Sequence, residues 1–151
     1  VTRKEADSYI KSYLATYPKV ASYMENTINE AKLNGYVTTL FGRRRYLPEL
    51  SSSNGMLRAF GERVARNAPI QGTAADIIKL AMIKVFDTLK TKVPSANLIL
   101  QVHDELIVEC DERDAKTVCD ILKTEMENAV DLAVELIADA NFGKNWLESK
   151  G

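Results

Sequence analysis

One short stretch gathers side chains able to do chemistry: Gln101-Val102-His103-Asp104-Glu105. Apolar β-formers flank it, Leu98-Ile99-Leu100 before and Leu106-Ile107-Val108 after. That pattern predicts a β-hairpin with its tip at His103-Asp104. Hairpin tips usually carry Gly or Asn, which reach positive φ at little cost. An imidazole and two carboxylates in that place mark a candidate site, because sites tend to sit on loops held by a rigid scaffold. Asp104 and Glu105 are the candidate catalytic carboxylates. Neighbours in a β context point to opposite faces, so only one of them easily faces a given site. The plain alternative is a solvated turn carboxylate. The sharper one is a Mg²⁺ ligand at Asp104, since Mg²⁺ prefers oxygen, keeps several waters and takes one or two protein carboxylates plus substrate phosphates. Two-metal phosphoryl transfer needs a second bridging carboxylate. No other acidic group in this sequence has an obvious site context.

His103 is the only histidine. It is either structural or placed to contact a phosphate or orient a neighbour. A zinc site is disfavoured, with one imidazole and two thiols outside any ligand spacing. A serine hydrolase is disfavoured too, because no Gly-x-Ser-x-Gly elbow occurs. Arg63, Asn67 and Gln71 fall at i, i+4 and i+8, one stripe of a helix that persists that far. Such a stripe is either a solvated face or a duplex-reading one. Arg makes charge-assisted bonds to phosphate, and amides both donate and accept at base or sugar edges. Minor-groove acceptors are similar for every base pair, so the stripe could check pair geometry without reading sequence. Arg43-Arg44-Arg45 is a basic cluster that either solubilises a strand edge or grips a phosphate backbone.

The elements that must hold these residues follow from period and punctuation. Thr2 and Glu5 predict a capping box, followed by Tyr9, Ile10, Tyr13, Leu14 and Tyr17 at helical spacing up to Pro18. A second helix carries Val20, Tyr23, Met24, Thr27, Ile28 and Ala31 and stops at Asn34-Gly35. Tyr36–Leu40 reads as a strand, Phe41-Gly42 as a turn, and Arg43–Pro48 as the returning arm. Ser51–Gly55 is a loop. Helix resumes from Met56 to Thr91, with a disturbance expected at Pro69 and Gly72 and a fresh cap from Thr73 and Asp76. The part from Ala74 to Leu89 is apolar nearly all round, so burial is expected. Asp111 and Asp114 open a last helix with a stripe of Ala115, Val118, Cys119, Leu122 and Met126. Ala133–Ala138 reads as a final strand. The class is α+β, several helices packed on a small antiparallel sheet. No Gly-rich phosphate loop occurs, which disfavours a doubly wound nucleotide fold.

The sequence has 151 residues with a formal net charge of −1 and 46% hydrophobic residues. That supports a real core and gives no global pull toward polyanions. Cys110 and Cys119 read as small core residues of a reducing compartment. No apolar run approaches the ~20 residues that span a bilayer, and no signal peptide opens the chain, so a cytoplasmic location is expected. The start at Val1 without methionine suits a fragment or a processed product.

Taken together, three words resemble the family A DNA polymerases, whose bacterial members are the DNA polymerase I enzymes. They are Gly35-Tyr36-Val37-Thr38-Thr39-Leu40-Phe41-Gly42-Arg43-Arg44-Arg45-Tyr46-Leu47-Pro48, then Glu62-Arg63 through Asn67-Ala68-Pro69-Ile70-Gln71-Gly72-Thr73-Ala74-Ala75-Asp76, then Gln101-Val102-His103-Asp104-Glu105. The last resembles the family's motif C. Order and spacing agree from about Arg3 to Trp146.

The resemblance implies the C-terminal part of a polymerase domain: residues 1–55 as fingers-side helices and basic hairpin, residues 56–151 as palm. It implies templated transfer of a nucleotide from dNTP to a primer 3′-hydroxyl by a two-metal mechanism. Asp104 would be a palm carboxylate holding Mg²⁺, and Glu105 an acidic neighbour that tunes the site more than it ligates. His103 would contact the primer end. Arg63, Asn67 and Gln71 would lie along the minor groove, and Arg43, Arg44 and Arg45 near the backbone. Primer-template DNA and dNTP are the implied partners. The family's motif A aspartate strand and its dNTP-gripping fingers helix are not in this sequence, so the two-ion site is incomplete and the isolated chain is expected to be inactive. The runner-up is a duplex-DNA-binding module without catalysis. Unpaired strand edges also predict non-native self-association.

Overall fold

The computed structural model describes residues 1–150. Helix α1 (Arg3–Thr16) starts at the expected capping box, with the Thr2 amide donating to Glu5 Oε2 at 2.7 Å and the Glu5 amide to Thr2 Oγ1 at 3.3 Å. The Thr2 amide, and then the Thr2 hydroxyl, donate to the Glu5 carboxyl and hold it below its ordinary pKa. Helix α2 (Pro18–Asn34) has Pro18 in its first turn, where the missing N–H costs nothing. It ends at Gly35, whose φ of 78° is left-handed. Strands β1 (Tyr36–Thr38) and β2 (Arg44–Tyr46) pair antiparallel, Val37 opposite Arg45. A short 3₁₀ turn, Pro48–Ser51, leads to helix α3 (Gly55–Lys92). Strands β3 (Asn97–Val102) and β4 (Glu105–Glu109) form a second antiparallel hairpin, and helix α4 (Ala115–Glu127) follows a 3₁₀ turn at Glu112–Asp114.

The chain divides into two compact units, Val1–Thr73 and Ala74–Gly151. In the first, Ile28, Ala31, Val37, Leu47, Leu50 and Ala65 form the core. Lys32 and Glu62 bridge its surface at 2.6 Å, and the Lys32 hydrogen bond, then its charge, lowers the Glu62 pKa. In the second, Val85, Leu89, Val93, Ala96, Val118 and Ile121 are buried, with Leu106, Val108 and Cys110 against them. Burial raises the pKa of both Cys110 and Cys119, and both are free thiols. The α+β class holds; its sheet is two separate two-stranded hairpins.

Four expectations need correction. Helix α3 does not break at Pro69 and Gly72; it runs through both. Thr73 is not a new cap: its hydroxyl donates to the Pro69 carbonyl at 2.6 Å, one turn back. The stretch from Ala74 to Leu89 is not buried all round. Ala81, Val85 and Leu89 are buried, while Ile83 and Phe86 are more than half exposed. The expected strand at Ala133–Ala138 is absent, and Val134 and Ile137 face solvent. A strand needs a ladder partner, and among the described residues that segment has none; the Ala138 amide instead donates to the Glu127 side chain at 3.2 Å. No helix among the described residues is long and apolar enough to cross a membrane.

Candidate functional site

In the second unit, the Val102–Glu105 pair closes the hairpin and leaves His103 and Asp104 as its two turn residues. His103 has φ of 54° and is the one non-glycine with positive φ among the described residues. Positive φ at the first turn position only is the sign pattern of a II′ turn, where glycine is normal. A histidine held there stores on the order of 1–3 kcal/mol of strain, which persists only if the surroundings impose it. One imposing contact is visible: Gln101 Nε2 donates to the His103 carbonyl at 2.6 Å. Upstream, the register shifts between Leu98 and Leu100, leaving Ile99 as an extra residue. Such a bulge twists a hairpin and re-aims what lies beyond it.

This frame presents the two carboxylates differently. Asp104 is exposed, and its carboxylate makes no hydrogen bond or ion pair to a described residue. Glu105 is also exposed, but both its oxygens are engaged: Trp146 Nε1 donates to Oε2 at 3.3 Å, and Lys150 Nζ lies 3.4 Å from Oε1. An exposed hard-oxygen donor on a rigid turn fits Mg²⁺, which takes few protein ligands and keeps waters. Among the described residues no cluster of three or more His, Cys, Asp or Glu could by itself hold a metal. The turn thus offers one available carboxylate.

In the first unit, the continuity of α3 puts Arg63, Asn67 and Gln71 on one stripe, and all three are exposed. Arg63 stacks near Phe60, its guanidinium carbon 5.8 Å from the ring centre. The basic hairpin is tied to the end of this stripe. Arg43 Nη2 donates to the Gly72 carbonyl at 3.0 Å, and the Leu40 amide donates to Thr73 Oγ1 at 2.9 Å. Gly72 permits the approach, because a Cβ there would sit 2.6 Å from Thr39 Cγ2. Arg44 instead stacks over Tyr36 at 4.6 Å, and Arg45 is exposed. The three arginines therefore have three different settings.

Sequence reasoning missed four contributors. Gln101 was legible as part of the motif but not as the brace of its turn. Thr73 and Gly72 carry no local signal for a hairpin that packs 33 residues away. The reach of Trp146 to Glu105 spans 41 positions, although the Asn145-x-x-Glu148 spacing hints at a capped turn there.

Comparison with known proteins bears out the family resemblance. The profile of DNA polymerase family A matches residues 1–148. "DNA polymerase I" of Caldicellulosiruptor bescii is 49% identical over 150 residues, which is 99% of this chain and 18% of that protein. That of Pseudomonas aeruginosa is 50% identical over 149 residues, covering 99% of this chain and 16% of its own length. The chain thus spans under a fifth of the curated relatives it matches. Among solved structures, the polymerase domain of Pol1 from M. smegmatis, in complex with DNA primer-template and dNTP, superposes with a TM-score of 0.94 at 39% identity, over 100% of this chain and 27% of that one. A match over nearly the whole length leaves one conclusion: the chain belongs to DNA polymerase family A.

Proposed function

We propose that this chain supplies one metal-holding carboxylate and a duplex-gripping face to DNA-directed DNA synthesis, the transfer of a nucleotide from dNTP to a primer 3′-hydroxyl. The observation that carries this is Asp104: an unengaged carboxylate at the tip of a strained, braced turn. Strain of that kind clusters at functional sites. The solved relative bound to primer-template and dNTP supports the partners.

Residues 1–55 belong on the fingers side and residues 56–151 to the palm. Asp104 holds Mg²⁺ together with an oxygen ligand from outside this chain, the family's motif A aspartate. Bound there, the ions would activate the attacking oxygen and stabilise the leaving one. Everything else falls to the protein's own groups. His103 contacts the primer end. Arg63, Asn67 and Gln71 lie along the minor groove near the primer terminus and place it by acceptors common to all base pairs. Arg45 meets phosphates, while Arg43 and Arg44 chiefly fix the shape of their hairpin. One available carboxylate cannot hold two ions for in-line displacement, so the isolated chain binds duplex without extending it.

The test is Asp104→Asn in the intact polymerase. Extension falls roughly a hundredfold or more while DNA affinity changes little. Asn67→Ala and Gln71→Ala chiefly weaken primer positioning. Undiminished extension in Asp104→Asn would leave the duplex-binding module as the better description. Extension of primer by the isolated chain, near the intact rate, would overturn the inactivity.

A further inference from the structure

The last described residues form a self-capped turn. Asn145 Oδ1 accepts from the Glu148 amide at 3.1 Å. Glu148 in return accepts from the Lys144 amide at 3.1 Å and from Asn145 Nδ2 at 2.7 Å. Ser149 Oγ donates to the Trp146 carbonyl at 2.9 Å. Gly143 is sterically required, because a Cβ there would lie 2.6 Å from Glu148 Cβ and 2.8 Å from the Ser149 nitrogen. The turn sets Lys150 Nζ 4.8 Å from the centre of the Trp146 ring. From that shared platform, Trp146 reaches Glu105 Oε2 and Lys150 reaches Oε1.

We propose that residues 143–150 act as a clip that withholds Glu105 from cation binding, so that Asp104 alone of the adjacent pair is offered to metal. The inference rests on the reading of Asp104 given above and adds how the pair is made unequal. A carboxylate with an ammonium on one oxygen and an indole N–H on the other has its charge compensated and its lone pairs directed elsewhere. Released, Glu105 places a second uncompensated negative charge beside Asp104. It then attracts divalent ions and offers them a competing oxygen. A single exposed ion pair would be a weak device. Here two donors come from one prebuilt turn, which lowers the entropy of ordering them. Trp146 and Lys150 are thus positioning residues that act through Glu105.

The first test uses the chain itself. Trp146 is its only tryptophan, so one indole N–H resonance reports the clip. Glu105→Ala and Lys150→Met shift that resonance and speed its exchange with solvent; an unchanged resonance overturns the clip. The second test measures Mn²⁺ binding to the intact polymerase by electron paramagnetic resonance. Trp146→Phe and Lys150→Met bind Mn²⁺ roughly three- to tenfold more tightly, and adding Glu105→Gln abolishes the gain. Asp104→Asn weakens binding in every background. Wild-type affinity in both clip variants, with Asp104→Asn still weakening binding, overturns the clip alone. Unaltered binding in Asp104→Asn overturns the reading of Asp104, and the clip's role falls with it.

Discussion

Gln101 Nε2 donates to the His103 carbonyl at the β3–β4 turn at 2.6 Å, and His103 carries the positive φ that the turn demands. The strained residue and its brace are two positions apart, the brace near the end of β3 and the strained residue first in the turn that follows. Removing the brace by Gln101→Ala costs about 1 kcal/mol of stability, the net value of one hydrogen bond. His103→Gly does the reverse, relieving strain and raising stability by up to about 1 kcal/mol. In the intact polymerase both variants lose extension rate. Thermal melts beside primer-extension assays check this; a fully active His103→Gly enzyme would contradict the role given to the imidazole.

Gly72→Ala pushes a methyl to within 2.6 Å of Thr39 Cγ2 and loosens the Arg43 bond to the Gly72 carbonyl. Overpacking of this sort costs about 1–3 kcal/mol. Denaturant unfolding measures it, and affinity for primer-template should fall alongside. Thr39→Ser removes the clashing methyl, so the double variant should recover most of the loss.

The Lys32–Glu62 contact makes a pH prediction whose sign is fixed. Glu62 is more acidic in the folded state than its ordinary value of 4.5, first because Lys32 donates to it. Its stabilising contribution is therefore present above pH 4.5 and fades as pH falls toward the lowered pKa. The pair is partly exposed, so the effect is small. Glu62→Gln should flatten the acid limb of a stability-versus-pH curve; an unaltered limb would show that the pair contributes nothing.

Burial pushes the Cys110 and Cys119 thiols above their ordinary value of 9.0. The thiolate is the reactive form, so alkylation at pH 8 should be slow in the folded chain and fast in denaturant. The protonated thiols favour the folded state, and stability should drop as pH rises past 9.0 toward the raised values. Rapid labelling of the native chain would place these side chains nearer solvent than described.

Ile83, Phe86, Ile99, Leu100, Val134 and Ile137 are all exposed, and the β3–β4 hairpin pairs with no third strand among the described residues. Apolar patches and open edges promote association. The isolated chain should show a mass that rises with concentration in light scattering, and Phe86→Lys should suppress it. A monodisperse monomer at high concentration would contradict this.

Much of the molecule was legible from its residues. The capping box at Thr2 and Glu5, the stop at Gly35, both hairpins and the Arg63–Asn67–Gln71 register all follow from period and turn chemistry acting over a few positions. Three motifs in order were enough to suggest the family. Pro69 misled because a proline removes one helix bond, yet the bonds around it and packing on both sides outweighed that local loss. Ala133–Ala138 misled for the opposite reason: its residues favour a strand, but a strand exists only where a partner's N–H and C=O groups meet it.

What only the tertiary structure decided is how the two acidic neighbours differ. Their chemistry is nearly identical in the sequence, and adjacency says only that they diverge. Asp104 stays open while Glu105 meets Trp146 and Lys150, brought back from 41 or more positions away. Contacts at that range depend on how helices and hairpins close upon each other, and no local pattern encodes them.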